Sequence, residues 1–417
     1  MPDPVVDQEL PPSERPIVPL RRNRNFRLLW TGQVLSDLGS ELGVLAYPLL
    51  IFALTGSTVI AGAVATATSI VSFCVRLPAG ALADRLNRRT TMVVCDGIRM
   101  VVLAGFAIGV LAHAVTWEVV LIVAIIDRVG DTIFSPSSIA ALPTIVEGVQ
   151  LEDAWAATEA RQYAAGLSGP ALGGLLFSVG AAVPFIGDAV SYGASLLTSS
   201  LMTGDFDPPA TEGPRRGLWR ESFDGVRAIW HDPLLRAVVV QAPLINFAFT
   251  GIMFTVILGL RHGGTSPSVI GLTQAAIMVG GLLGAVAAPR IQGRLSLSKM
   301  VVALTASGMA MTAVAAFLMP SPLIAIPLAV PFFLSPTANA MLFAALLRAT
   351  PESMRGRVTN ALLQVATGLA ALSPLIAGLL IEQASASWAM GAFAGALGIS
   401  TILALSLKGL RRAEAAA

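Results

Sequence analysis

Residues 57–113 read STVIAGAVATATSIVSFCVRLPAGALADRLNRRTTMVVCDGIRMVVLAGFAIGVLAH. Two apolar runs, at about 57–79 and 90–113, flank a short charged turn, Gly80-Ala81-Leu82-Ala83-Asp84-Arg85-Leu86-Asn87-Arg88-Arg89. A spanning helix needs ~20 apolar residues. Each run has that length, so the stretch reads as a hairpin of two membrane-spanning helices. Outward from it, comparable segments fall at 26–54, 117–142, 154–179, 183–203, 233–259, 267–289, 299–319, 321–347, 358–381 and 387–407. With the opening pair this makes twelve. Composition agrees: 55% of the 417 residues are hydrophobic and 12% charged, against about 25% charged in a soluble domain. That leaves too little polar surface for a water-soluble fold. The bilayer is the solvent, and the expected fold class is an all-α membrane protein.

The basic residues set the orientation. Arg21, Arg22, Arg24 and Arg27 precede the first segment, and Arg85, Arg88 and Arg89 follow the second. Arg215, Arg216, Arg220 and Arg227 lie between the sixth and seventh, Arg290 and Arg294 after the eighth, and Arg348, Arg355 and Arg357 after the tenth. Lys408, Arg411 and Arg412 close the chain, whereas the opposite loops hold only Arg261. Both termini are therefore expected in the cytoplasm. The loop with Glu147, Glu152 and Asp153 is the exception. The expected domains are a cytosolic tail at 1–24, a six-helix bundle at 25–203, a polar cytosolic linker at 204–232, a second bundle at 233–408 and a tail at 409–417. Residues 1–20 lack the apolar core of a signal peptide. The halves share a pattern: Gly80-Ala81 recurs as Gly284-Ala285, and Pro170 with Gly174 as Pro374 with Gly378, both 204 positions on. Ser135-Pro136 recurs as Ser335-Pro336, 200 positions on. Duplicated six-helix halves place a substrate site at their interface, near mid-membrane.

The charged turn has a pattern of its own. Its Gly80-x-x-x-Asp84-Arg85-x-Asn87-Arg88-Arg89 resembles the helix 2–3 signature of the major facilitator superfamily, with Asn87 where the family has a second Gly. Asn is the non-Gly residue most tolerant of left-handed backbone. Gly80 would let two helices approach closely, and Asp84 would accept from backbone N–H groups or pair with arginines. The resemblance implies a cytoplasmic latch between the halves made by Gly80, Asp84, Arg85, Arg88 and Arg89. The second half reads Gly284-Ala-Val-Ala-Ala288-Pro-Arg290 and lacks the acid, so the latch is one-sided. The fifth segment holds Gly166-Leu-Ser-Gly169-Pro170-Ala-Leu-Gly173-Gly174. This is similar to the Gly-Pro-x-x-Gly-Gly motif of the family's drug/proton antiporters. Proline bends a helix and glycine opens a groove for a neighbour, so Gly169, Pro170, Gly173 and Gly174 read as a pivot. The strings NRNFRLLWTGQVLSDLGSELG and PFIGDAVSY look like the macrolide and siderophore exporter branch.

Charges inside apolar segments are costly, by about 2.5–3.5 kcal/mol each at the bilayer centre. Segment 1 carries Asp37 and Glu41 on one helical face, and segment 4 carries Asp127, Arg128 and Asp131. Segments 1, 4, 7 and 10 line the cavity in the family. Segment 7 offers only Gln241 and Asn246, and segment 10 Asn339. Asp37, Glu41, Asp127, Arg128 and Asp131 are therefore the expected proton-coupling set, confined to the amino-terminal half. Arg128 pairs either with Asp131 on its own helix or with Asp37 across the cavity, and a static structural bridge is the competing reading. The expected substrate cavity includes Gln33, Tyr47, Gln241, Asn246 and Asn339, with Trp30 also available for contacts. Arg76, Asp96, Arg99, Glu159 and Arg161 are expected nearer the cytoplasm as gate or latch charges, and Asp188 towards the outer end of segment 6 in a structural role, capping or pairing in the external gate. Cys74 and Cys95 lack redox or metal spacing. His113, His231 and His262 lack ligand spacing, so no metal is expected.

No nucleophile–His–acid set and no phosphate-binding Gly-Lys loop occurs. The sequence thus points to a transporter rather than an enzyme, without cofactor or ATPase domain. The expectation is proton-coupled export of lipophilic small molecules (drugs, antibiotics or natural products) through a bacterial cytoplasmic membrane by a monomer. A net charge of +2 carries no sign of nucleic acid. A siderophore exporter of the same fold is the alternative, and proton-coupled uptake a further one.

Overall fold

The computed structural model describes residues 18–208, 232–350 and 355–406. The expected tails, most of the linker with Arg215, Arg216, Arg220, Arg227 and His231, and the closing Lys408, Arg411 and Arg412 lie outside these residues. Among the described residues the chain is helical and no strand occurs. The helices are α1 Arg24–Thr55, α2 Thr58–Ala83, α3 Arg88–Leu111, α4 Trp117–Ile145, α5 Leu151–Val179, α6 Val183–Ser200, α7 Pro233–His262, α8 Pro267–Gln292, α9 Leu297–Leu318, α10 Ala325–Ala349, α11 Arg355–Gly368, α12 Ser373–Gln383 and α13 Ala386–Ser406.

Capping explains the boundaries. Asn23 accepts from Phe26 N at 3.1 Å to start α1, and Gly56, at φ 67°, ends it in the left-handed conformation that glycine adopts without steric cost. Ser57 accepts from Ile60 N at 3.2 Å to start α2 only one residue later. Asn87 does not use left-handed backbone: at φ −58° it caps α3 through Thr90 N. The expected segment 358–381 is two helices, α11 and α12, joined by a 3-10 turn at Leu369–Leu372. Pro374 has no N–H to continue the ladder, and the Ser373 hydroxyl donates to Ala370 O at 2.8 Å beside the break.

Nine helical stretches among the described residues are long and apolar enough to cross a membrane. α4, α5 and α6 are not among them, because polar and charged residues concentrate there. Helix α1 packs on α5 and α6, α3 on α4 and α6, and α2 on α4. After residue 232, α7 packs on α12 and α13, α8 on α10, and α9 on α10 and α13. The two groups meet chiefly through α5 with α8 and α2 with α12. Apolar residues such as Leu45, Leu49, Leu103, Phe185, Ile252 and Phe393 form the shared core. The helix ends at Gly56, Gly180, Gly263 and Ala384 are called distal here, and the ends near Arg24 and Ser406 proximal.

Candidate functional site

A cavity of about 780 Å³ lies between the two helix groups. Its two walls differ. Helices α1, α4 and α5 present Asp37, Glu41, Asp127, Arg128, Asp131 and Arg161, whereas α7 and α10 present Phe249, Met253, Phe254, Ile257 and Phe332. Spacing on α1 explains the first wall: Gln33, Asp37, Ser40, Glu41, Val44, Tyr47 and Ile51 all line the cavity and recur every three or four residues, which is one face of a helix.

The carboxylates are shared out among three guanidiniums. Arg161 Nη1 stands 3.4 Å from Asp37 Oδ2, and Arg128 Nη1 stands 3.4 Å from Asp131 Oδ2. Arg128 thus takes the partner on its own helix. Arg99 reaches in from α3 and is only 2% exposed. Its Nε donates to Asp127 Oδ1 at 2.8 Å, its Nη2 donates to Ser40 Oγ at 3.2 Å and to the Tyr192 hydroxyl, and Asp131 Oδ1 lies 3.9 Å away. The guanidinium also stacks 3.8 Å from the centroid of the Tyr192 ring, a cation–π contact that gains strength where water is excluded. Tyr192 in turn donates to Asp127 Oδ1 at 3.1 Å. Tyr47 donates to the other oxygen of Asp127 at 3.5 Å. Among the described residues Glu41 is the cavity carboxylate with no guanidinium within 4.0 Å. The wall therefore carries one acid more than it has bases.

The expected proton-coupling residues Asp37, Glu41, Asp127, Arg128 and Asp131 come together around this cavity, as do Gln33 and Tyr47. The three amides of the second half do not. Gln241 is buried between α7 and α13, donating to Ser400 O at 2.9 Å and accepting from Ser400 Oγ at 2.6 Å. Asn246 is exposed and donates to Ala242 O on its own helix at 2.8 Å, and Asn339 is also exposed. Neither is among the cavity-lining residues, so the second half meets the cavity with aromatic side chains, with Gln274 of α8 beside them. Trp30 donates to Ala157 O at 3.1 Å and stays outside the cavity.

Arg99 and Arg161, expected as gate or latch charges nearer the cytoplasm, also line the cavity. Tyr192 and Ser40 went unnoticed. A tyrosine inside an apolar segment must find a partner for its hydroxyl, and that was the available signal. Asp188, near the distal start of α6, is 1% exposed inside the first helix group and accepts from Ser191 Oγ at 3.3 Å through its Oδ1.

The turn at 84–87 is bound to its own group of helices. Arg89 donates to Ser199 O at 3.3 Å and to Ser200 O, and the Arg88 backbone N–H donates to Phe206 O at 3.1 Å. Asp84 and Arg85 are exposed, and a methyl added at Gly80 would meet nothing within 4 Å. The expected close approach at Gly80 is thus absent among the described residues. The pivot glycines do sit in close crossings. A Cβ on Gly169 would strike Glu41 and one on Gly173 would press against the backbone of Leu42, both on α1, while one on Gly174 would strike Pro267 of α8.

Comparison with known proteins agrees with this architecture. The chain is 25% identical to the multidrug efflux pump Tap of Mycobacterium bovis over 402 residues, covering 93% of this chain and 94% of Tap. It is also 25% identical to the enterobactin exporter EntS of Escherichia coli O1:K1 / APEC, covering 94% of each chain. The fold matches that of a bacterial homologue of the human lysosomal transporter Spinster, in an inward-facing and unoccupied conformation. That match has a TM-score of 0.72 and 16% identity, and covers 95% of this chain and 98% of the other. The pattern of the transmembrane secretion effectors matches residues 14–417, so the chain belongs to that family of major facilitator transporters.

Proposed function

We propose that the protein exports lipophilic small molecules, neutral or cationic, from the cytoplasm in exchange for protons by alternating access. The observation that carries the reading is the two-walled cavity: an acid-rich wall with an unpaired Glu41 faces the aromatic wall of Phe249, Phe254 and Phe332. An apolar body would pack on the rings, and a cationic group or a proton would satisfy the surplus carboxylate. Twelve spans in two six-helix bundles at 25–203 and 233–408, with cytoplasmic termini, follow from the apolar segments and the arginines. The proximal end is then cytoplasmic and the distal end external. Helices α5 with α8 and α2 with α12 cross tightly near the distal end, which supports an inward-facing state. The names of Tap and EntS support export.

The test is substrate screening in inverted vesicles with an imposed pH gradient. Inward-acid vesicles should accumulate cationic lipophilic dyes, and Gln or Asn at Glu41, Asp37 and Asp127 together should abolish the effect of the gradient. Gradient-driven accumulation that survives this triple change would sink the proton assignment. EntS motivates a second reading, siderophore export. Accumulation of an anionic catecholate in preference to cations would favour it, against the acidic surplus of the wall.

A further inference from the structure

The distal seal consists of two crossings built on one plan. In the first, a Cβ on Gly174 of α5 would strike Pro267 and Gly271 of α8, and one on Gly271 would strike Pro170 and Gly174. In the second, a Cβ on Gly378 of α12 would strike Thr58 and Val59 of α2, and one on Gly62 would strike Pro374 and Leu375. Pro374 and Gly378 lie 204 positions after Pro170 and Gly174, while Ser266 and Gly271 lie 209 positions after Ser57 and Gly62. The crossings are therefore the same pair of contacts, made once by each half against the other.

One helical turn beyond each crossing glycine stands a polar side chain, and here the crossings differ. At the first, Ser178 Oγ accepts from the backbone N–H of Ser268 at 3.0 Å. At the second, in the equivalent place, Glu382 Oε2 accepts from the backbone N–H of Val59 at 3.0 Å, from Ser57 Oγ at 2.7 Å and from Thr58 Oγ1 at 3.3 Å. Thr58 also donates to Gly378 O at 2.8 Å. Both side chains cap the first turn of a helix from the opposite half, one as a neutral hydroxyl and the other as a carboxylate. A carboxylate at a helix N-terminus gains from the unpaired N–H groups and the helix dipole, and hydrogen bonds to an ionised acceptor are about twice as strong as neutral ones.

We infer that Glu382 is the clasp of the external gate, a positioning residue whose carboxylate holds α12 on the N-terminus of α2 and so sets the balance between the inward- and outward-facing states, while Ser178 is its weak counterpart. Opening outward separates α2 from α12 and α5 from α8, so every contact made by Glu382 is lost in that step. Glu382 touches neither the cavity nor the charges around it, so it acts on the conformational step and not on binding. The inference rests on the proposed function only for which end is external.

The labelling test needs no substrate. In a background with Cys74→Ser and Cys95→Ser, Ala65→Cys places a reporter thiol in the cavity wall, and a membrane-impermeant maleimide is applied to either side of oriented vesicles. Glu382→Gln should raise labelling from the external side by roughly fivefold, the population change that a helix cap of ordinary strength carries, and lower it from the cytoplasmic side. Ser178→Glu should add a second clasp, cut external labelling below the parent and slow transport. Ser57→Ala should act in the direction of Glu382→Gln. Thermal unfolding of each purified variant separates a gate effect from misfolding. If Glu382→Gln folds and labels as the parent does, or if Ser178→Glu leaves both sides unchanged, the clasp is overturned. A rise confined to the opposite side would instead keep the clasp and overturn the membrane orientation.

Discussion

Arg99 is where the local chemistry of the amino-terminal half converges. A guanidinium that is 2% exposed in a helix of a membrane bundle has no water to lean on. Its stability comes from Asp127 at 2.8 Å, from Ser40 and from the face of Tyr192. Removing one partner of such a pair strands the other charge, at a cost of about 3–5 kcal/mol. Arg99→Ala is thus expected to cost that much and to abolish transport, as read by thermal unfolding and vesicle assays. Arg99→Lys keeps the charge but not the planar fork or the stacked face; transport should fall with a smaller loss of stability. Combining Arg99→Ala with Asp127→Ala should cost less than the sum of the two single changes, and strict additivity in that cycle would dissolve the pairing.

Glu41 is the contrasting residue. Without a guanidinium partner among the described residues, it is free to answer to what enters the cavity. Glu41→Gln should leave the unfolding temperature nearly unchanged. It should reduce gradient-driven accumulation of cationic dyes by tenfold or more while sparing neutral ones. Equal loss for both classes would remove its role in charge recognition.

At the scale of elements, α5 packs closely against two neighbours. Gly169 and Gly173 seat α1, while Gly174 seats α8, so one helix face touches its own half and the next touches the other. Gly169→Ala would drive a methyl into Glu41 and should displace the carboxylate as well as destabilise the bundle. The charged turn after α2 behaves in the opposite way. Gly80 has open space around the position of a Cβ, so Gly80→Ala should leave unfolding within about 0.5 kcal/mol. If the turn latches the halves in the outward-facing state, the same change should still slow turnover. A normal turnover rate with Gly80→Ala would show that this latch does not form.

At the scale of the whole molecule, the two halves repeat a pattern but divide the labour. Charged groups gather on one wall of the cavity, and the other is apolar and rich in phenylalanine. The two distal crossings match in their glycines and prolines and differ in one capping side chain. Only a duplicated architecture makes that difference visible, because Ser178 is the internal reference for Glu382.

Hydropathy is a sum over neighbouring residues, so the sequence by itself determined that this chain is helical and bilayer-embedded. It also located the acids of α1 and α4, because period and charge on a single helix are local properties. It paired Arg128 with Asp131 as one of two options, since residues three apart meet on any helix. What it could not determine was how the helices are rotated about their axes and where they cross. That rotation brings Arg99 and Arg161 to the cavity, buries Gln241 against Ser400, and leaves Asn246 and Asn339 off the cavity wall. The cap of Glu382 on α2 likewise belongs to the tertiary structure. It depends on a contact between segments more than 300 residues apart. No local pattern encodes which backbone N–H a carboxylate so distant will meet.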